Sequence, residues 1–233
     1  MKTKSNKPLI SCLCVTHKKP DMLQRVINCF YNQQYENKQL LIVYEDFDSL
    51  THEFITHSKF NENVKVIMID SSKEKIPLGE LRNISIREAD GEYVCQWDDD
   101  DWFDPERLST QMEILLKENK PACVLSHWIV FNSCTNKAYL SNRRLWEGSI
   151  LCRKEIILQK PYPAIPKGED SSVIEFLYKS GDLYIIDDMP HLYVYIYHGA
   201  NTWEAEHFNQ IFEFSRELPE SYSLDVLEVL NEK

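Results

Sequence analysis

With 233 residues, 43% of them apolar, 12% aromatic and only six of them glycine, the chain can bury one sizeable core and lacks the compositional marks of disorder. A formal net charge of −11 excludes a protein that grips nucleic acid through its phosphates, which needs lysine and arginine gathered on one face; a smaller anion held through a metal remains open. Seven cysteines, an odd number without paired CxxC knots, predict reduced and mostly buried thiols of a cytosolic protein rather than disulfides or a structural zinc site.

The first element is "LISCLCVT", residues 9–16. Basic residues precede it as in a signal peptide, but its apolar run is only about eight residues long and lysines follow, which argues against export. No stretch approaches the roughly 20 apolar residues that span a bilayer. A nearly continuous apolar run with β-branched members predicts a strand covered on both faces, as in a parallel sheet. From Pro20, the apolar positions Met22, Leu23, Val26, Ile27 and Phe30 recur at helical spacing, with proline tolerated in the first turn. Residues 40–46 predict a second strand, 50–60 a short helix, 64–70 a third strand and 78–88 another helix. "ADGEYVCQW" then turns at Gly91 into a fourth strand. Residues 105–118 predict an amphipathic helix, 122–131 a strand and 132–142 a polar loop or hairpin. Strands alternating with helices imply an α/β domain whose central sheet is mostly parallel and flanked by helices.

At the end of the fourth strand stands "WDDDDWFDP". Asp98, Asp99, Asp100 and Asp101 repel one another and call for a counter-charge. In open α/β sheets ligands bind beyond the carboxyl ends of the strands, so the acids, Thr16 with His17, and Glu45 with Asp46 are expected around one crevice. Magnesium and manganese prefer oxygen ligands and commonly take one or two carboxylates plus phosphate oxygens. On an extended segment Asp98 and Asp100 would point one way, Asp99 and Asp101 the other. The plainer alternative is an acidic loop whose charge offsets the dipole of the helix after Pro105.

Two segments, "LISCLCVTHKKPDMLQRVINCFYNQQYENKQLLIVYED" and "LGELRNISIREADGEYVCQWDDDDWFDPERL", resemble the nucleotide-binding half of a family 2 glycosyltransferase of the GT-A fold, whose strand-end acids chelate the divalent metal on a nucleotide sugar. The resemblance covers roughly residues 8–110 well and the remainder more loosely. It implies a single GT-A domain over 1–233, with a nucleotide-sugar half at 8–110, an acceptor half at 111–215 and a C-terminal tail at 216–233. It assigns Mn2+ or Mg2+ to Asp98 and Asp100, with His198, at the end of "VYIYH", as a third metal or diphosphate ligand. Asp99 belongs to the same donor site. Thr16, His17 and Glu45 or Asp46 would contact the nucleoside, an acid accepting from uracil. Where this chain has "YEDFDS" the family usually has "VDDGS", and Asp48 has the alternative task of capping the next helix. Arg82 and Asn83 fit the family's A-R-N segment and would reach donor phosphate or the acid cluster. In "NRRLWEGSI" the "GS" turn at Gly148 would lie under the donor sugar, with Trp146 supplying a stacking face and Glu147 a hydroxyl acceptor. "GED" at 168–170 places the general base at Asp170, with Glu169 the next candidate; helix capping is the competing role for both.

The function implied is a metal-dependent, inverting hexosyltransferase. It moves a sugar from a nucleoside-diphosphate donor, expected to be a UDP-sugar, to a hydroxyl of a saccharide or lipid-linked saccharide. The setting implied is bacterial surface glycan assembly, cytoplasmic or peripheral to the inner face of the membrane. Two alternatives stand beside it. A sugar nucleotidyltransferase would open with a glycine-rich loop after the first strand, and "VTHKKPDML" has no glycine. A non-catalytic nucleotide-sugar or glycan-binding module would have no use for a base, so donor hydrolysis with and without manganese separates it from an enzyme.

Overall fold

The computed structural model describes residues 7–71 and 74–231. The expected alternation begins at once: β1 (Ile10–Val15), α1 (Pro20–Asn32), β2 (Lys38–Glu45), α2 (Ser49–His57), β3 (Val64–Ile69), α3 (Leu78–Glu88) and β4 (Tyr93–Gln96). Proline opens α1, and Leu23, Val26, Ile27 and Phe30 bury its apolar stripe. Asp48 caps α2, accepting from the Thr51 backbone N–H at 3.1 Å and from its hydroxyl at 2.6 Å. The chain continues through β5 (Trp102–Phe103), α4 (Arg107–Glu118), β6 (Ala122–Leu125), β7 (Ile129–Asn132), β8 (Lys137–Leu140), β9 (Trp146–Arg153), α5 (Lys154–Ile157) and α6 (Ser171–Ser180). It closes with β10 (Leu183–Ile186), β11 (Tyr193–Tyr197), α7 (Ala205–Phe214), β12 (Arg216–Glu217) and α8 (Glu220–Asn231).

Seven strands form the main sheet in the order β10-β6-β9-β4-β1-β2-β3. The pairs β1–β2, β2–β3, β1–β4 and β6–β10 are parallel, while β9 runs antiparallel to both β4 and β6. Strand order reverses at β1 and β4, whose carboxyl ends therefore border the crevice. One face is covered by α1 and α4, the other by α3 and α6, and each fully buried Leu, Ile or Val there contributes about 1.5–3 kcal/mol.

A second sheet, β12-β8-β7-β11-β5, packs at the end of the first. Its presence corrects one expectation, since residues 122–131 are not a single strand. β6 stays in the main sheet, the chain breaks at residues 126–128, and β7 enters the second sheet. The break is enforced by Trp128, which turns into the core and stacks on Trp146 at a centroid distance of 4.5 Å. Residues 132–142 contain the hairpin between β7 and β8. The expected tail, from 216, pairs β12 with β8 and packs α8 on the same sheet through Val226, Leu227 and Leu230. All seven cysteines are free and six are buried, the exception being Cys134 on the hairpin turn.

The segment leading into α6 is pinned to α3. The Asn83 side chain donates to the Tyr162 carbonyl at 2.8 Å and accepts from the Tyr162 N–H at 2.9 Å. The Gly79 N–H donates to the Ile165 carbonyl at 3.2 Å, and a Cβ on Gly79 would stand 1.9 Å from the Pro163 carbonyl oxygen. Gly79→Ala is therefore expected to lower stability by about 1–3 kcal/mol through forced separation of α3 from residues 162–165. Urea denaturation measures this, and an unchanged midpoint would contradict the packing.

Candidate active site

Beyond β4 the backbone does not continue extended: Asp99 and Asp100 form a turn before β5, so the expected alternation of side chains is lost. Both instead approach one ammonium, with Lys19 Nζ 2.6 Å from Asp100 and 3.4 Å from Asp99. Asp100 also accepts from His198 Nε2 at 3.1 Å, and its carbonyl accepts from Arg25 at 2.6 Å. Asp98 accepts from Arg82 Nη2 at 2.9 Å and from the Gln96 amide at 3.0 Å. Asp101, almost fully buried, accepts from the Tyr193 hydroxyl and from the Ile196 N–H at 3.0 Å. Each of the four acids thus has a protein partner, drawn from α1 and its entry, α3, β4 and β11 with the loop after it.

These partners split the acids electrostatically. Burial and the neighbouring Asp100 push Asp99 up to about 6. Burial also raises Asp100, but His198 and Lys19 outweigh it and hold that carboxyl at about 2. Burial and the charges of Asp100 and Asp98 drive Asp101 well above the usual carboxylate range. For Lys19, burial would release the proton, but Asp100 and Asp99 more than compensate and keep the ammonium charged.

Two open clefts, one smaller and one larger, meet at the cluster. The smaller is bordered by Arg82, Asp98, Asp99, Asp100, Trp146, Gly148 and Asp170, with Lys19, Gln96, Lys167, Tyr195 and Trp203 also on its wall. The larger is bordered by Thr16, His17, Glu45 and Asp99, with Lys75. The buried Thr16 hydroxyl lies beside Asp99, and His17 Nδ1 stands 3.6 Å from Asp48, beyond hydrogen-bond reach. One Glu45 oxygen accepts from the Ile76 N–H at 2.8 Å.

Four residues expected at the crevice border neither cleft. Asp46 is exposed and bonded to Ser71, Asn83 is the pin on Tyr162, Glu147 accepts from Ser171 at 3.2 Å, and His198 stands behind Asp100. Lys19, Gln96 and Tyr193 were missed. The tandem lysines before Pro20 were the available signal for Lys19, and nothing local distinguished Lys19 from Lys18.

Across the smaller cleft, Gly168 takes φ +71°, which lets the chain turn into α6 and swings Glu169 inward. Arg82 Nε donates to Glu169 at 2.6 Å while the same guanidinium holds Asp98, so one side chain joins the loop at 168–170 to the acid cluster. Asp170 occupies the first position before α6 but its side chain makes no capping bond. Burial, then Glu169, raise it to about 7 against the opposing pull of Arg82. A half-buried carboxyl bordering a cleft with a pKa near neutrality can exchange a proton with a bound hydroxyl.

Carboxylate oxygens and an imidazole suit a hard divalent cation, so Asp98, Asp100 and His198 have the chemistry of a manganese or magnesium site. Among the described residues, however, no three acid, histidine or cysteine side chains already converge on one point. Lys19 stands against Asp100 and Arg82 against Asp98. His198 Nδ1 accepts from the Ala200 N–H at 3.3 Å, which leaves the ring proton on Nε2, facing Asp100; ligation through Nε2 requires the other tautomer.

An open α/β sheet with acids at its switch point and a second acid across the cleft is the architecture of the GT-A fold. The family model for "Glycosyl transferase family 2" matches residues 11–174, and the chain belongs to that family. A glycosyltransferase of Methanocaldococcus jannaschii described as uncharacterised is 26% identical over 127 residues, 54% of this chain, and the chain spans 43% of that relative's length. Solved structures share the fold. TarS residues 1–349 of S. aureus with UDP-GlcNAc gives a TM-score of 0.68 at 16% identity, covering 96% of this chain and 72% of that one. The mannosyltransferase PcManGT of Pyrobaculum calidifontis, with GDP-Man and Mn2+, gives 0.62 at 12% identity, covering 83% and 57%.

Glu169 is only 2% exposed, so Arg82→Met would strand its charge. A loss of about 3–5 kcal/mol of stability is expected, with much of it recovered in Arg82→Met combined with Glu169→Met. Chemical denaturation of the single and double variants checks this; equal losses in both would show that Glu169 does not depend on Arg82.

Proposed function

We propose that the chain transfers a sugar from a nucleoside-diphosphate sugar, most simply a UDP-sugar, to an acceptor hydroxyl with inversion at the anomeric carbon. The observation that carries this reading is the meeting of two clefts at the acid cluster, with the uncapped Asp170 bordering the smaller. Related folds that hold UDP-GlcNAc or GDP-Man support the donor class. The nucleoside would occupy the larger cleft, where the Thr16 hydroxyl and the second oxygen of Glu45 offer hydrogen-bonding capacity. The sugar would lie in the smaller cleft against Trp146 and Tyr195. Asp98 and Asp100, with His198 in its other tautomer, would hold a divalent cation, which when bound offsets the charge of the departing diphosphate.

Asp170 removes the acceptor proton as the acceptor oxygen attacks the anomeric carbon. The bond from that carbon to the diphosphate breaks with its electron pair on the diphosphate oxygen, and a single displacement inverts the centre. Arg82 keeps the base loop in register with the donor acids. A saccharide or lipid-linked acceptor in surface glycan assembly at the inner membrane face fits this chemistry, and no described helix is long and apolar enough to cross a membrane.

A panel of nucleotide sugars screened by thermal shift tests the reading. A nucleoside-diphosphate sugar should raise the melting temperature, more so with Mn2+, because it binds only the folded state. No stabilisation by any member, with or without metal, would refute it.

Asp170→Asn should retain donor binding and remain within about 1 kcal/mol in stability, yet lose on the order of 100-fold or more in turnover. The base acts deprotonated, so wild-type turnover should climb as pH rises through about 7 and then level off. The same climb persisting in Asp170→Asn would move the base elsewhere.

A further inference from the structure

Lys19 is the one cation that borders both clefts among the described residues. Its backbone is fixed on either side. Lys18 takes φ 56° and donates its N–H to Asp48 at 2.7 Å, and Pro20 begins α1. The side chain is 20% exposed, with its ammonium against Asp99 and Asp100. An ammonium has three N–H donors, of which these carboxylates take two, leaving one for an oxygen in the cleft. A donor with its nucleoside in the larger cleft and its sugar in the smaller must pass its diphosphate over the residues shared by both, and among the described residues Asp99 is the only other charged side chain there.

We infer that Lys19 is the diphosphate-binding cation of this cleft: its ammonium neutralises Asp99 and Asp100 while the cleft is empty and turns to the diphosphate when the donor enters. This rests on the nucleotide-sugar reading above. The compact charge on a flexible four-carbon stem permits the exchange without backbone movement. Because the ammonium and a divalent cation would address the same Asp100 carboxylate, whose Oδ2 the ammonium now holds, the two compete until a diphosphate draws the lysine away. The four acids are then not a site awaiting metal but one already balanced, in which the diphosphate itself frees the carboxylate.

Calorimetry of the full chain with UDP, and with GDP if UDP does not bind, measured both in EDTA and at saturating Mn2+, tests this. Lys19→Met should weaken nucleotide binding on the order of 10-fold or more wherever wild type binds, the scale of one charge-assisted hydrogen bond. Lys18→Met, at an exposed position bordering neither cleft, should leave it unchanged. Without nucleotide, Lys19→Met should bind Mn2+ several-fold more tightly, followed by the spin resonance of free ion. Melting curves verify that each variant is folded, and Lys19→Gln replaces Lys19→Met should the latter not fold. Undiminished nucleotide affinity in Lys19→Met, an equal loss in Lys18→Met, or no gain in Mn2+ affinity overturns the role assigned to Lys19. If wild type binds neither nucleotide in either condition, the nucleotide-sugar reading fails first and this role with it.

Discussion

Charge crowding at the carboxyl end of β4 is the constraint on which the rest of the site depends. Two carboxylates 4 Å apart repel by about 4 kcal/mol at an effective dielectric of about 20, so four in succession are tolerated only where the fold delivers compensation. It does so from several directions: Lys19 from the entry to α1, Arg82 from α3, and Tyr193, the Ile196 N–H and His198 from β11 and its following loop. The cluster is therefore a structural node before it is a binding site. Asp101, the most deeply buried of the four, joins β11 of the second sheet to the end of β4 in the first.

The same compensation orders the far wall of the cleft. Arg82 divides its guanidinium between Asp98 and Glu169, so the loop carrying Asp170 is located relative to the acids by a pair of charge-assisted bonds rather than by loop stiffness. Asn83 and Gly79, on the same helix, pin the preceding segment. One helix thus sets the distance between the acid cluster and the candidate base. Arg107, wholly buried below them, donates to the carbonyls of Gln96 and Gly148 at 3.2 and 3.3 Å and ties β4 to β9 under the cleft floor.

Much of this was legible in the sequence because burial is written locally. The helical spacing over 78–88 matches α3 residue for residue, and the nearly continuous apolar runs within 9–16 and 40–46 lie in β1 and β2, strands covered on both faces. What local pattern cannot carry is the sheet to which a strand belongs. Residues 122–131 read as one run because both halves are buried, and the contacts that divide them are distant in the chain: Trp128 stacks on Trp146, 18 residues on, and Ser126 bonds Asp187. The site follows the same rule. The acids announce themselves by adjacency, whereas the partner of Asp100 lies 81 positions away in Lys19 and that of Glu169 lies 87 away in Arg82. The competing capping roles also needed coordinates to separate: Asp48 bonds into its helix and Asp170 does not.

The most direct test of the account is a crystal structure of the chain with a nucleoside-diphosphate sugar and Mn2+. The account predicts the base beside Thr16, His17 and Glu45, the diphosphate crossing between the clefts within hydrogen-bond distance of Lys19, the cation on Asp98 and Asp100, and the anomeric carbon facing Asp170. A nucleotide bound elsewhere, or one whose sugar points away from Asp170, would contradict it.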